Sequence, residues 1–91
     1  MIFVWDALKA DSNWRKHGVT FDEAASIWND KHGVEVFDDT HSTPEDRFWR
    51  IGFSDEKRLL MVVFCERAEE TIRIISARPA SRADRQLYRE G

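Results

Sequence analysis

The feature that most constrains the fold of this chain is a change, at Gly33, in the spacing of its apolar residues. In the two predicted helices that precede Gly33 the apolar positions follow helical spacing, and in the segments that come next they follow the period of two that is typical of strands. Four segments beyond Gly33 have this strand character: Val34–Phe37, Arg47–Phe53, Leu59–Cys65 and Thr71–Ala77. Because 91 residues have room for one modest core, the pattern predicts a sheet with a few helices packed on it.

A short strand and a first helix are predicted at the amino terminus. Ile2–Trp5 is apolar and rich in β-branched and aromatic residues, which favours a strand. Asp6 is a good N-cap, and Gly18 is the residue type that most often ends a helix in the left-handed conformation. The first helix is therefore expected to run from Ala7 to about His17.

Two further helices are indicated by capping patterns. Thr20 and Glu23 form a capping box, in which the threonine hydroxyl accepts a hydrogen bond from a backbone amide and the glutamate reaches back. The second helix is expected to end at about Asn29. Ser81 begins a similar pattern, which predicts a terminal helix to about Tyr88.

The links between the predicted strands are short and polar. Ser54–Lys57 and Arg67–Glu70 each separate two strand segments, so the flanking strands are predicted to be antiparallel partners. Leu59–Cys65 is apolar in both phases of alternation and is predicted to be the central strand. Residues 1–91 are thus expected to form a single α+β domain, with an antiparallel sheet, two N-terminal helices on one face and a short C-terminal helix.

The four tryptophans are candidates for the core. Aromatic residues on apolar stripes are more often core than nucleic-acid platforms, so Trp5, Trp14 and Trp28 are assigned to the core. Trp49 is left undecided between a core position and a stacking platform. Ile74 is also predicted to be buried.

The charge of the chain is unevenly distributed. Residues 1–45 carry four cations and nine anions, whereas residues 46–91 carry ten cations and eight anions. All ten of those cations except Lys57 are arginines. The net charge of −3 therefore conceals a cationic carboxyl half, which is the part that could bind a phosphate-containing partner.

Several arginines fall within the predicted strands. Guanidinium groups hold a phosphodiester by bidentate hydrogen bonds, and they stabilise the charge that grows on its oxygens during ribose-phosphate cleavage. Arg47 and Arg50 are expected on opposite faces of the sheet. For any one arginine taken alone, pairing with Asp or Glu on a solvated face is the commoner role. Simple alternation places Ile72, Ile74, Ser76 and Arg78 on one face of the last strand, and Arg73, Ile75 and Ala77 on the other.

The histidines offer one candidate for proton transfer. His17 follows Lys16 at the end of the first predicted helix, where it either transfers a proton or complements the helix dipole. His41 lies near Asp38 and Asp39, but an acidic surface loop explains it better than a metal site does. No metal or other cofactor is predicted.

Several classes of protein have no support in the sequence. Cys65 has no second cysteine, so neither a disulfide nor a cysteine-only metal site is available. The longest apolar run, Leu59–Cys65, is far shorter than the roughly 20 residues that cross a bilayer, and the amino terminus lacks the features of a signal peptide, so a cytoplasmic protein is expected. The motifs of nucleotide hydrolases, serine hydrolases and zinc proteases are absent.

The sequence as a whole resembles a known family. Its first part contains the pattern Phe3-x-Trp5-Asp6-x-x-Lys9-x-x-x-Asn13-x-x-Lys16-His17-Gly18-Val19-x-Phe21-x-Glu23-Ala24. The second part contains Arg47, Gly52, Arg58-Leu59-Leu60-x-Val62-Val63, Glu66-Arg67, Arg73-Ile74-Ile75-Ser76-Ala77-Arg78 and Tyr88. Together these segments cover nearly the entire chain and resemble the BrnT family of toxins from bacterial type II toxin–antitoxin pairs.

The resemblance implies a RelE-like α+β fold and a ribonuclease that cleaves RNA without a metal and arrests translation. It also implies neutralisation by a small BrnA antitoxin. The implied complex contains two copies of each protein and represses its own operon, so that DNA is contacted through the antitoxin.

On the same basis, Arg78 and Arg47 are expected to hold the phosphate, with Glu66 or His17 as base or acid. The expected supporting contacts to the substrate are Arg67, Arg73, Arg50 and, more weakly, Lys16. A different hypothesis remains open, in which the arginine-bearing sheet is a non-catalytic module that binds a small partner protein. Expression of the protein alone distinguishes the two, because only a toxin stops growth.

Overall fold

The structure is a computed structural model that describes residues 1–40 and 45–91. The acidic surface loop predicted around His41 falls partly outside these ranges, and His41 itself lies among the residues not described. The elements, in chain order, are β1 (Ile2–Val4), α1 (Ala7–His17), α2 (Phe21–Ser26), a 3₁₀ turn (Ile27–Asn29), β2 (Val34–Asp38), β3 (Arg47–Phe53), β4 (Leu59–Arg67), β5 (Thr71–Pro79) and α3 (Arg82–Glu90).

The ends of α1 follow the predicted capping chemistry. The carboxylate of Asp6 accepts hydrogen bonds from the amides of Leu8, at 2.8 Å, and Lys9, at 3.1 Å. Gly18 has a φ of 67°, and its amide donates to the carbonyl of Trp14. Both predicted boundaries of this helix are confirmed.

The capping box predicted at α2 is only half formed. The hydroxyl of Thr20 accepts from the amide of Glu23 at 3.1 Å, as expected. The side chain of Glu23 does not reach back, because it is buried and binds the guanidinium of Arg58 and the hydroxyl of Ser54. At α3, by contrast, both halves of the box between Ser81 and Asp84 are present.

The five strands form one sheet in the order β1-β5-β4-β3-β2. The antiparallel pairing of β2 with β3, β3 with β4 and β4 with β5 is confirmed, as is the central position of β4. The prediction of a purely antiparallel sheet is wrong, because β1 pairs with β5 in parallel. No hairpin fixes the direction of β1, since α1 and α2 carry the chain from β1 to the opposite edge of the sheet.

The larger core lies between the sheet and the two N-terminal helices. It is formed by Val19, Phe21, Ala24 and Ile27, packed against Leu60, Val62, Phe64, Ile72, Ile74 and Ala77. A smaller cluster occupies the opposite sheet face, where Ile51, Leu59 and Met61 meet Tyr88 of α3. The hydroxyl of Tyr88 donates to Asp30 at 2.7 Å, which ties α3 to the turn before β2.

Two of the three tryptophans assigned to the core are packed there. Trp28 makes edge contacts with Phe3 and Phe64, and Trp5 makes one with Phe21. The assignment of Trp14 is wrong, because 54% of its surface is exposed. In α1 the buried residue is Asn13, which points toward the rest of the protein. Trp14 follows it and is rotated by about 100° around the helix axis, so its side chain points toward solvent.

A β-bulge interrupts the pairing of β4 with β5. Val63 pairs with Ser76, but the next residue, Phe64, pairs with Ile74, so that Ile75 is an extra residue in β5. A bulge shifts the alternation of side chains by one position and re-aims those that follow it.

The bulge overturns the predicted faces of β5. Ile72, Ile74 and Ala77 are all buried in the larger core, although simple alternation separates Ala77 from the other two. Arg78 therefore lies on the same face as Arg73, opposite to α1 and α2.

No helix in the two described ranges has the length and apolar character required to span a membrane.

Candidate active site

The sheet face that points away from α1 and α2 carries most of the strand arginines. We call the part of it not covered by α3 the open face; its residues are Arg47 and Trp49 of β3, Val63, Cys65 and Arg67 of β4, and Arg73, Ser76 and Arg78 of β5. Because these side chains leave three adjacent strands in the same direction, they form one continuous surface.

Two of these arginines lie beside one carboxylate, and a third lies on the same part of the open face. We call Arg47, Arg67 and Arg73 the arginine cluster. Glu45 Oε1 lies 3.6 Å from Nη2 of Arg67 and 3.8 Å from Nη1 of Arg73. Both distances are longer than a hydrogen bond. Within the described ranges, Arg67 and Arg73 donate no side-chain hydrogen bond, so their N–H groups remain available to a ligand.

Cys65 lies beneath the cluster, and its burial together with the charged groups around it shifts the pKa of its thiol. Burial raises the pKa of the Cys65 thiol, and so does its hydrogen bond to Glu45, against the opposing effect of the positive charges of Arg47 and Arg67. The thiol therefore remains protonated and is a poor nucleophile. The same interactions show that Arg47, Arg67 and Glu45 share one small region of the open face.

A groove of about 240 Å³ extends from this cluster across the sheet. Its lining residues are Asp38, Arg47, Trp49, Met61, Val63, Ile75 and Ser76. Trp49 is held in place because its indole Nε1 donates to Asp38 Oδ2 at 3.2 Å. The indole is partly buried against the smaller core cluster, and its exposed part, beside an arginine, offers a base of a nucleic acid a stacking surface.

Arg78 lies on the open face but is engaged within the protein. Its Nη1 is 2.7 Å from Oδ2 of Asp84, a buried carboxylate in the first turn of α3. It also donates to the carbonyl of Pro79 at 3.3 Å. Arg78 therefore anchors α3 to β5, and one third of its side chain remains exposed.

Two of the predicted site residues lie on the other face of the sheet. Arg50 pairs with Glu35 at 2.7 Å and lies over the ring of Trp28, with the guanidinium carbon 5.4 Å from the ring centroid. Glu66 pairs with Ile72 across the strands and shares the face of that core residue. The structure therefore does not bring Arg50 or Glu66 to the arginine cluster.

His17 and Lys16 lie at the end of α1, in a second groove of about 170 Å³. Ile75 and Ser76 form its other side, and these two residues also line the groove of the open face. The structure thus places the histidine across β5 from the arginine cluster.

Glu45 is the site residue that sequence reasoning missed. It stands in an acidic segment before β3, in a position with no motif and no periodicity to distinguish it from its neighbours. Only the pairing of β3, β4 and β5 brings it to Arg67 and Arg73, and no local sequence feature encodes that contact.

The residues described include no group of three or more His, Cys, Asp or Glu side chains that could hold a metal ion. The faint metal site suggested at His41 involves a residue outside the described ranges.

These features define a small α+β protein with several arginines on one exposed face of its sheet. A sequence-family model described as "Ribonuclease toxin, BrnT, of type II toxin-antitoxin system" matches residues 5–84. The chain therefore belongs to the BrnT family of ribonuclease toxins, as the sequence resemblance predicted. Membership in a type II toxin–antitoxin family implies that the protein has an antitoxin partner.

A solved structure agrees with this assignment. The chain is similar to the Brucella abortus ribonuclease toxin BrnT, whose crystal structure was determined at 1.1 Å resolution. The two share 25% sequence identity over 90% of this chain and 100% of that one, with a TM-score of 0.64. A search of curated proteins gave no significant match.

Proposed function

We propose that residues 1–91 act as one toxin domain, an endoribonuclease that cleaves RNA through the ribose 2′-hydroxyl without a metal ion and thereby stops translation. The observation that carries this proposal is the arginine cluster. Arg67 and Arg73 present guanidinium groups that donate no side-chain hydrogen bond to any described residue, on an open face beside Arg47. This arrangement suits a phosphodiester, whose oxygens accept bidentate hydrogen bonds.

The cluster supplies the electrostatic part of the reaction. When the 2′-oxygen attacks phosphorus, negative charge grows on the non-bridging oxygens of a pentacoordinate transition state. Positive groups fixed beside those oxygens stabilise the transition state more than the ground state. This is the RelE-like mode of catalysis, in which side chains hold the phosphate and move the protons.

Proton transfer is assigned to Glu45 and His17. Because Glu45 lies beside the arginines, we assign its carboxylate as the group that accepts the proton of the 2′-hydroxyl as the bond from the 2′-oxygen to phosphorus forms. The bond from phosphorus to the 5′-oxygen then breaks, and His17 is the candidate to protonate the leaving oxygen. The products are a 2′,3′-cyclic phosphate and a 5′-hydroxyl. Glu66, on the opposite face, takes no part in this scheme.

The proposed partner is a BrnA-type antitoxin, in a heterotetramer of two toxins and two antitoxins. Family membership supports an antitoxin, and the BrnA type follows from the resemblance between the sequences. In this proposal DNA is bound through the antitoxin. The toxin acts in the cytoplasm, where its RNA substrate is translated.

The test is cleavage of an unstructured oligoribonucleotide by the purified, antitoxin-free protein in excess chelator. The expected product carries a terminal 2′,3′-cyclic phosphate, detected by mass spectrometry. Arg67→Ala is expected to lower kcat/KM by about 10²-fold. The matched control is Arg15→Ala, because Arg15 is an exposed arginine of α1 paired with Asp11.

Intact RNA in the presence of folded protein contradicts the proposal, as does an equal rate for the Arg67→Ala and Arg15→Ala variants. In that event the open face is the non-catalytic interaction module of the alternative hypothesis. Expression of the wild-type protein without antitoxin is then tolerated by the cell.

A further inference from the structure

The groove beside α1 has a composition that the arginine cluster does not explain. We call it the α1 groove; it is lined by Lys9, Ser12, Lys16 and His17 of α1 and by Ile75 and Ser76 of β5. Its position is fixed by Asn13, whose side chain exchanges two hydrogen bonds with the backbone of Ala77, at 2.9 and 3.0 Å. The α1 groove is therefore a built feature of the junction between α1 and β5.

Positive and hydrogen-bonding groups are concentrated on the wall that α1 contributes. Lys9, Ser12 and Lys16 are spaced by three and four residues, so they lie on one face of the helix. In the parts of the chain that the structure describes, neither lysine has an ion pair or a side-chain hydrogen bond. The face thus presents two ammonium groups and a hydroxyl to the same small volume.

The helix dipole explains the positions of only some of these cationic residues. Arg15, Lys16 and His17 stand in the last turn of α1, where cations stabilise a helix. Lys9 lies two turns earlier, beyond the reach of that effect. Because nothing else in the described structure pairs with Lys9, its place in the groove points to an external anion.

The α1 groove continues into the groove of the open face. Ile75 and Ser76 line both grooves. The bulged segment of β5 therefore separates the two grooves, with the arginine cluster on one side and the lysines on the other. A phosphate backbone that crosses β5 at this segment meets cationic groups on both sides.

We propose that the α1 groove is a second phosphate subsite, which binds the phosphate of a nucleotide flanking the cleaved bond through Lys9, Ser12 and Lys16. The RNA strand then crosses β5 at Ile75 and Ser76, with the reacting phosphate at the arginine cluster. This inference rests on the proposed ribonuclease function, because it assumes that the ligand is RNA.

The test measures binding of a fluorescein-labelled 2′-O-methyl hexanucleotide, which lacks the attacking hydroxyl and cannot be cleaved by this route. Lys9→Ala is expected to weaken binding about three- to tenfold at low salt and to reduce the slope of log Kd against log salt by about 0.7. The matched control is Lys31→Ala, because Lys31 is an exposed lysine outside both grooves. It is expected to change Kd less than twofold.

A second variant places a negative charge in the subsite. Ser12→Glu is expected to weaken binding tenfold or more, whereas Ala7→Glu, in the first turn of the same helix, is expected to leave Kd unchanged within twofold. If Lys9→Ala and Ser12→Glu both bind like their controls, the subsite is overturned.

The outcome is independent of the cleavage assay. Binding that depends on Lys9, in a protein that leaves RNA intact, supports the subsite and contradicts the ribonuclease proposal. If the wild-type protein cleaves RNA but neither Lys9→Ala nor Ser12→Glu changes the Kd of the hexanucleotide, only the proposal of the second subsite is wrong.

Discussion

Arg78 is joined to Asp84 by a 2.7 Å contact that links β5 to the first turn of α3. The Asp84 carboxylate is almost fully buried, and its other hydrogen bond comes from the amide of Ser81. An arginine expected from sequence to hold substrate therefore has a structural role. A role in stability and a role in RNA cleavage are separable, because denaturation measures the first and an RNA-cleavage assay measures the second.

Arg78→Ala is expected to lower the free energy of unfolding by about 2 kcal/mol, because it leaves the carboxylate of Asp84 buried without its cation. Denaturant titration measures the loss. Adding Asp84→Asn to the variant is expected to restore part of it, since the amide carries no charge to bury. A loss under about 0.5 kcal/mol shows that the pair contributes nothing beyond a surface ion pair.

Glu45→Gln is expected to lower kcat by about 10²-fold if this carboxylate accepts the 2′-hydroxyl proton, because the amide cannot act as a base. The comparison variant is Glu66→Gln, which changes a carboxylate on the opposite face. We expect its effect to be at least tenfold smaller. A faster reaction or a lower KM in Glu45→Gln contradicts the assignment, because the carboxylate then only competes with phosphate for Arg67 and Arg73.

Acid is expected to weaken the contact between Glu23 and Arg58. Hydrogen bonding to Arg58 is the main cause that lowers the pKa of Glu23 from its ordinary value of 4.5, against the opposing effect of burial. At pH values near 4 the unfolded chain therefore binds more protons than the folded one, so stability rises with pH in this range.

The expected measurement is a free energy of unfolding that is constant near neutral pH and falls as the pH drops below about 4.5, through the lowered pKa of the folded state. The Glu23→Gln variant starts from lower stability and is expected to show a smaller fall over the same range. If the free energy of unfolding of that variant falls with pH as steeply as that of the wild type, other carboxylates, such as Asp30, cause the acid sensitivity.

Trp28 and Trp14 are expected to differ sharply in their contribution to stability. Trp28→Ala removes ring contacts with Phe3 and Phe64, at centroid distances of 5.1 and 4.9 Å, and is expected to cost about 3–5 kcal/mol. Ile74→Ala, at a fully buried site, is expected to cost a similar amount. Trp14→Ala is the control, with an expected change within about 0.5 kcal/mol because the ring is largely exposed. Equal losses for the two tryptophans contradict the packing of α1.

The parts of the fold that could be predicted from sequence are those that local chemistry decides. Asp6 and Gly18 set the limits of α1 through their own side chain and backbone, and the apolar run of β4 requires burial on both faces. The direction of β1 has no such local cause. It depends on contacts with Thr71, Ile72 and Arg73, nearly seventy residues away along the chain.

The candidate site was less predictable for the same reason. Alternation along β5 correctly buries Ile72 and Ile74, but the extra residue Ile75 reverses the phase, and only the pairing with Val63 and Phe64 reveals it. Glu45 joins the arginines through the same long-range pairing. Residue type indicated the chemistry, whereas the register decided which residues share a surface.

Asn13 also has a consequence for the solubility of the protein. β1 pairs with β5 only as far as Arg73, so the outer edge of β5 beyond that point has no neighbouring strand. The amide of Asn13 occupies that edge, since it donates to the carbonyl of Ala77 and accepts from its amide as a strand does. An uncovered edge is a template for strand addition by another chain, which leads to aggregation. One side chain of α1 thus covers the edge of β5 at Ala77 and makes strand addition there less favourable.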